Sequence, residues 1–174
     1  MNDTLKVLEK RRSCRNFKSD MIPEETLEQI VRAGTYAPTG MGKQSPIILA
    51  VTNKELRDQL SEENRKIMGA PESMDPFYGA PVILVVLANK AVPTHVYDGS
   101  LVMGNLMNAA AAIGLGSCWI NRAKEEFETE EGKALLKKWG IEGDWIGVGH
   151  CILGYPAADP KPAAPRKPDY IVKV

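Results

Sequence analysis

Three arginines fall within five residues in Arg11-Arg12-Ser13-Cys14-Arg15. Guanidiniums packed this closely repel one another unless water or an anion neutralises them, and their forked donors suit a phosphate monoester. A solvated basic helix end is the plain alternative, and the stretch alone leaves both readings open. Near the other end of the chain, Pro165-Arg166-Lys167-Pro168 carries two more cations. Alone it reads as an exposed dipeptide; with the arginine cluster it could close a phosphate site from a second direction.

Two glycine-rich stretches approach nucleotide-binding patterns and miss them. In APTGMGKQSP, Gly42-Lys43 supplies the middle of a P-loop, but its first glycine falls on Ala37 and its hydroxyl on Gln44. The amide cradle and the magnesium-ligating oxygen are both lacking. In GLGSCWIN, from Gly114 to Asn121, the third glycine of the dinucleotide fingerprint is Trp119. A helix precedes that stretch and a strand follows it, the reverse of the order such a site needs. A helix C-cap at Gly114 or Gly116 is the simpler reading.

Nucleophilic catalysis finds little support. Cys14, Cys118 and Cys151 are widely spaced, and His95 and His150 are the only histidines. His150 and Cys151 are neighbours on an expected strand, so they point to opposite faces and cannot pair. Neither residue type shows zinc-ligand spacing, and an odd count without a Cys-x-x-Cys pair suits reduced thiols.

The elements that must position these groups follow from periodicity. TLKVLEKRRS reads as a short amphipathic helix with Leu5 and Leu8 on one side. PEETLEQIVRAG reads as a second, with Leu27, Ile30, Val31 and Gly34 on one face, ending near Ala37-Pro38. PIILAVT is a strand, and Asn53 caps the helix KELRDQLSEENRKIM. GAPESMDPFYGAP is a loop, and PVILVVLA is a strand covered on both faces. DGSLVMGNLMNAAAAIG is a helix that is small or apolar almost all round and is expected to be buried, with Met103 and Met107 as core filler. GLGSCWI is a strand, TEEGKALLKKWG a short helix, and DWIGVGHCILGYP the last core strand. The proline-rich tail cannot form a helix; its final YIVKV alternates like a strand, which favours a docked arm over a frayed end.

The chain has 174 residues, enough for one self-sufficient core, and its 22 acidic and 22 basic residues balance. Balance of this kind disfavours a nucleic-acid or anionic-membrane partner recognised by bulk charge. The first residues lack the apolar core of a secretory signal and no run approaches membrane-spanning length, so a cytoplasmic protein is expected.

RRSCRNF, PEETLEQIVRAGTYAPTG, NLMNAAAAIGLGSCWI, ILGYP and PRKP occur together and in this order. The set resembles the FMN-dependent nitroreductase family over nearly the full length. That resemblance implies an α+β fold in a single domain spanning 1–174: a mixed, mostly antiparallel sheet flanked by helices, in an intertwined homodimer. The long helix would lie at the dimer interface, residues 157–174 would form an extended arm on the partner subunit, and each of two FMN sites would use both subunits.

Carried over by resemblance, Arg11, Arg12, Ser13 and Arg15 would hold FMN phosphate, ribityl and the C2 carbonyl edge. Pro38 and Thr39 would contact the isoalloxazine or ribityl. Gln44 stands where many members have the glutamine of a Gln-Pro-Trp turn, which here reads Gln-Ser-Pro. Trp119, Ile120 and Asn121 would run their backbone beside flavin N5 and O4, and Arg166 would reach the phosphate from the arm. The implied reaction takes hydride from NAD(P)H and reduces a small acceptor, such as a nitroaromatic or quinone, in a ping-pong cycle. Arg15 would stabilise negative charge near N1 and the C2 carbonyl, and a backbone amide would donate toward N5. No acid–base side chain and no metal are required. The loop from Gly69 to Gly79 is the one candidate lid. A non-catalytic flavin-binding sensor or storage module is the alternative, with a cysteine-dependent hydrolase as the third reading.

Overall fold

The computed structural model describes residues 2–174. In chain order the elements are α1 (Asp3–Lys10), α2 (Glu24–Thr35), a 3-10 turn (Gly40–Gly42), β1 (Pro46–Val51), α3 (Lys54–Met68), β2 (Val82–Asn89), α4 (His95–Ala112), β3 (Gly116–Ile120), α5 (Ala123–Glu128), α6 (Glu130–Lys138) and β4 (Trp145–Gly154). The four strands form one sheet in the order β1-β2-β4-β3, and every pairing is antiparallel. This is the nitroreductase-like α+β arrangement that the motifs imply. Its one parallel element is a bridge between Ser13 and Ser117 at the outer edge of β3.

The period-two alternation of strands divides the core into two layers. Val82, Leu84, Val86, Cys151 and Leu153 face α2 and α4, where they meet Leu27, Ile30, Val102, Met103 and Leu106. Ile83, Val85, Leu87 and Ile152 face the other way, toward Leu60 of α3, Phe77, Phe127 of α5 and Leu136 of α6. β2 is therefore apolar at every position because it is central and covered on both sides. A β-carbon on Gly34 would come within 2.6 Å of Leu106, so glycine there lets α2 lie close on α4.

The β2–β4 register shifts between Val86 and Leu87, opposite Gly149 and Gly147, which bulges Val148 out of the ladder. Two helices exploit that bulge: α5 begins against Gly147, and Gly99 of α4 packs on Val148. Asn53 caps α3 through the Leu56 amide, and Thr129 caps α6 through that of Gly132.

Several expectations need correction. α4 begins a turn earlier than Asp98, at His95, and it is not buried all round: Val96, Tyr97, Leu101 and Ile113 remain open to solvent in the single chain. Leu5 and Leu8 of α1 are about half exposed, and that helix buries none of its residues. α5 was not foreseen. Residues 157–174, expected to lie on a partner subunit, are exposed throughout the single chain, and YIVKV pairs with no strand of its own chain among the described residues. The Gly69–Gly79 loop is not built as a lid. Phe77 is fully buried on the α3 side, and Asp75 ties the loop to Arg57 and Ser61.

Candidate functional site

At Arg11 the chain leaves the helix, its amide still donating to the Val7 carbonyl at 2.9 Å, and turns along the edge of β3. The Cys14 amide donates to the Ser117 carbonyl at 2.8 Å, and the Lys18 amide to that of Tyr155 at 2.9 Å. Glycine at 116 is what admits this segment, since a β-carbon there would sit 2.7 Å from Cys14 Sγ. The two motifs RRSCR and GLGSCWI, about a hundred residues apart in the chain, thus lie side by side.

Four polar groups on this side of the sheet have no partner among the described residues. Arg11 Nη1, Arg12 Nε, Ser117 Oγ and Trp119 Nε1 are buried and donate to no acceptor among the described residues. Arg12 spends another nitrogen, Nη1, on the carbonyl of Glu9 at 2.7 Å. Ser117 and Trp119 alternate onto the α4 face, where the indole occupies the space above Gly149; a β-carbon on that glycine would lie 2.5 Å from Nε1. Unpartnered buried donors are costly, about 1–3 kcal/mol each, so each invites an acceptor. Ser13 and Arg15 are exposed beside Arg11 and Arg12.

The stretch APTGMGKQSP is organised by a residue the motifs did not flag. The Asp98 carboxylate, 2% exposed, accepts the Gly40 amide at 2.9 Å, Ser45 Oγ at 2.7 Å and Thr94 Oγ1 at 3.1 Å. Burial pushes its pKa upward, but the bonds from Gly40, Ser45 and Thr94 outweigh that and hold it below the ordinary aspartate value. Thr39 Oγ1 accepts the Gln44 amide at 3.1 Å. Met41 and Gln44 both adopt left-handed backbone, at φ 53° and 48°. The loop is thus a fixed platform at the first turn of α4. Its glycine at 40 is required because Thr94 leaves no room for a side chain.

The single chain does not bring all the expected residues together. Arg11, Arg12, Ser13 and Arg15 sit where α4 ends, and Pro38, Thr39 and Gln44 sit where it begins. Twelve residues of helix between Asp98 and Ala110 rise about 18 Å. Arg166 is exposed and donates to its neighbour's carbonyl, that of Ala164, at 2.8 Å. Of the β3 stretch, Trp119 faces α4, Ile120 is buried on the α3 side, and Asn121 turns out at the strand end.

Behind that strand end, Asn64 Nδ2 donates to the Asn121 carbonyl and Asn64 Oδ1 accepts Arg122 Nε, both at 2.9 Å. Glu126 Oε2 approaches His150 Nε2 at 3.0 Å. Sequence reasoning missed Asp98, Asn64 and Ser117. Asp98 and Ser117 are single polar residues like many exposed ones, and Asn64 stands inside the charged run Glu62–Lys66, so none of the three carries a distinguishing signal.

His150 and Cys151 do face opposite ways, the ring lying 5.1 Å from that of Phe77 and the thiol among the α4-side core. Burial first, and the neighbouring Cys118 second, push the Cys151 pKa up, with Arg11 pulling weakly against them. A thiol held protonated is a poor nucleophile, which removes Cys151 from the hydrolase reading. No group of three metal-ligating side chains occurs among the described residues, and no helix is long and apolar enough to cross a membrane.

The model of the nitroreductase family matches residues 8–155. A nitroreductase with bound FMN from Bacteroides fragilis superposes with a TM-score of 0.88 at 27% identity, each chain covered in full. A second, from Desulfitobacterium hafniense, also with bound FMN, gives 0.88 at 27% identity over 100% of this chain and 99% of that one. An FMN reductase [NAD(P)H] from Bacillus subtilis is 24% identical over 194 aligned positions, which take in 99% of this chain and 73% of the relative.

Proposed function

The chain belongs to the nitroreductase family, and from that premise we propose that it is an FMN-dependent oxidoreductase that takes hydride from NADH or NADPH and passes electrons to a small acceptor, such as a nitroaromatic or quinone. The observation that carries the reading is the set of buried, unpartnered donors on Arg11, Arg12, Ser117 and Trp119. They fit a ligand with an anionic phosphate and a carbonyl-bearing ring, and the related proteins from Bacteroides fragilis and Desulfitobacterium hafniense bind such a ligand.

When bound, FMN supplies the two-electron chemistry, and a ping-pong cycle follows from one pocket serving donor and acceptor in turn. The protein's own work is binding and electrostatics. Arg11 and Arg12 neutralise the phosphate, with Ser13 beside them at the ribityl. Arg15 places positive charge at the C2 carbonyl edge, where negative charge develops on reduction. Pro38, Thr39 and Gln44 offer a platform that Asp98 keeps rigid, and the backbone of Trp119, Ile120 and Asn121 lines the N5 and O4 edge.

Two copies complete the site in this reading. The arginine cluster and the Pro38–Gln44 platform lie at opposite ends of α4 in one chain, and a second copy packed on that helix would set one beside the other. Val96, Tyr97 and Leu101 leave apolar surface on that helix and Ile113 leaves more at its C-cap, while the arm of residues 157–174, tied to its own chain through the Ala157 amide on the Asn16 carbonyl, is exposed throughout. A homodimer answers all three.

An absorption spectrum of the purified protein tests the proposal. Bands of bound flavin that NADH or NADPH bleaches without oxygen are expected. A colourless protein that ignores added FMN overturns it. Flavin that stays oxidised under excess reduced nicotinamide would instead select the non-catalytic module, which the Gln-Ser-Pro turn favours. Light scattering should give a mass near twice 19.1 kDa.

A further inference from the structure

The turn that follows β3 is held from the far side of the sheet. Asn64, on α3, has no solvent exposure and lies 57 residues before the carbonyl it binds. Its carboxamide is used on both sides: Nδ2 donates to the Asn121 carbonyl, and Oδ1 accepts Arg122 Nε. Glu126 Oε2 stands 3.5 Å from the same Nδ2 and also against His150, so the amide is wedged in a buried polar row. No step of the reaction proposed above needs any of these groups.

Arg122 is the residue that needs them. Its φ is 78°, a left-handed conformation that a side chain disfavours and that glycine adopts without cost. It is also the residue immediately after the Trp119–Asn121 stretch and the one that begins α5. Carbonyl and N–H of a trans peptide point in opposite directions. Fastening the Asn121 carbonyl toward α3 therefore turns the Arg122 amide away from α3, toward the α4 side of the strand end. Bonding of the guanidinium to the same Asn64 keeps the side chain from swinging the turn back.

We propose that Asn64 is a positioning residue: by holding the Asn121–Arg122 peptide in a left-handed turn, it aims the Arg122 amide at the N5 edge of the cofactor. The proposal rests on the flavin reading above. FMN affinity comes from arginines at the other end of β3, so loss of Asn64 should disturb electron transfer far more than cofactor binding. A side chain that only stabilised the fold would show no such split.

The test is Asn64→Leu, which keeps the branched shape, is somewhat larger and cannot hydrogen-bond, measured alone and with Arg122→Gly. Wild type first sets the premise: without bound FMN that NADH or NADPH reduces, the flavin reading fails and this inference goes with it. Given a competent wild type, Asn64→Leu should bind FMN within about threefold of it, while anaerobic flavin reduction at saturating nicotinamide slows at least tenfold. Adding Arg122→Gly should recover most of that rate, because glycine takes the left-handed turn unaided. A reduction rate within twofold of wild type in Asn64→Leu overturns the proposal, as does a loss that Arg122→Gly leaves untouched. If Asn64→Leu does not fold, Asn64→Asp decides. It keeps the acceptor for Arg122 but sets a carboxylate oxygen against the Asn121 carbonyl, so the same slowing is expected and a wild-type rate refutes the role.

Discussion

Arg57 and Arg11 present the same fork of donors on opposite faces of one sheet, and the chain treats them differently. Arg57 is buried and each of its three nitrogens has a partner: Nε donates to the Ala80 carbonyl and Nη1 to Asp58, both at 3.1 Å, while Nη2 pairs with Asp75. Asp75 in turn accepts Ser61 Oγ at 2.6 Å and the amides of Phe77 and Gly79 at 2.9 and 2.7 Å. Burial pushes its carboxyl upward, yet the bonds from Arg57, Ser61 and those amides prevail and hold its pKa below the ordinary range. Arg11 is half-buried and leaves a nitrogen unsatisfied. Local charge density does not separate a structural arginine from a binding one. The separation lies in whether the protein itself has supplied a partner to every nitrogen.

If that distinction holds, the two arginines fail in opposite ways. Arg57→Ala should cost about 3 kcal/mol of stability, because Asp75 and the Ala80 carbonyl lose their partner while part-buried. Urea unfolding measures this, and FMN affinity of the surviving folded protein should stay within about twofold. Arg11→Ala should do the reverse. Stability should change by under about 1 kcal/mol, since no bond within the chain is lost. FMN affinity should fall about thirtyfold, the equivalent of about 2 kcal/mol for one charge-assisted contact. A large loss of stability in Arg11→Ala with unchanged flavin binding would erase the contrast.

A third arrangement sharpens the comparison, since Asp98 belongs to the α4 side yet is as fully partnered as Arg57. Asp98→Asn should cost about 1.5 kcal/mol at neutral pH, because an amide cannot accept from Gly40, Ser45 and Thr94 together. Its pH dependence has a definite sign. A depressed carboxyl contributes stability above its unfolded-state value, near 3.8, and loses it as the pH falls through the lower folded value. Denaturation curves of wild type and Asp98→Asn should therefore differ above pH 4 and converge in more acid solution. A gap that persists at the lowest pH would mean that shape rather than charge fixes the loop.

These two kinds of residue were not equally legible. The four strands, α2, α3 and α6 follow from apolar spacing and caps, because burial of one face writes itself into a period of two or 3.6. α5 did not: it has six residues, no Ser, Thr, Asp or Asn immediately before it, and a start set by the glycine at 147, which lies in another strand. Strand direction was also beyond periodicity, and the antiparallel order came from resemblance. Arg11, Arg12 and Ser13 were legible as a motif, but nothing in the sequence placed them beside Ser117. Asn64 and Asp98 were not, because each works on backbone groups 57 or 58 residues distant. Nothing about a lone Asn on a helix announces which carbonyl it will meet.

Arg166 tests the comparison at its weakest point, since it is neither answered by the chain nor buried. Its contact with the Ala164 carbonyl is a local one on an exposed tail, worth well under 1 kcal/mol to the fold. Any contribution to FMN must then come from a tail folded across the site, which in the proposed dimer is that of the second copy. Arg166→Ala should accordingly leave the melting temperature of the flavin-free protein unchanged and weaken FMN about five- to tenfold, close to 1 kcal/mol. The dimer should survive the change, because a single exposed cation adds little to an apolar interface. Mixing the variant with an Arg11→Ala chain turns this into a geometric test. If arm and cluster serve one phosphate from different subunits, the mixed dimer holds two distinguishable sites: one lacks both arginines and the other keeps both. A titration with one wild-type-affinity site and one strongly weakened site supports that arrangement. Two sites that are both weakened, one about thirtyfold and the other about five- to tenfold, would place the tail of each chain over its own arginines.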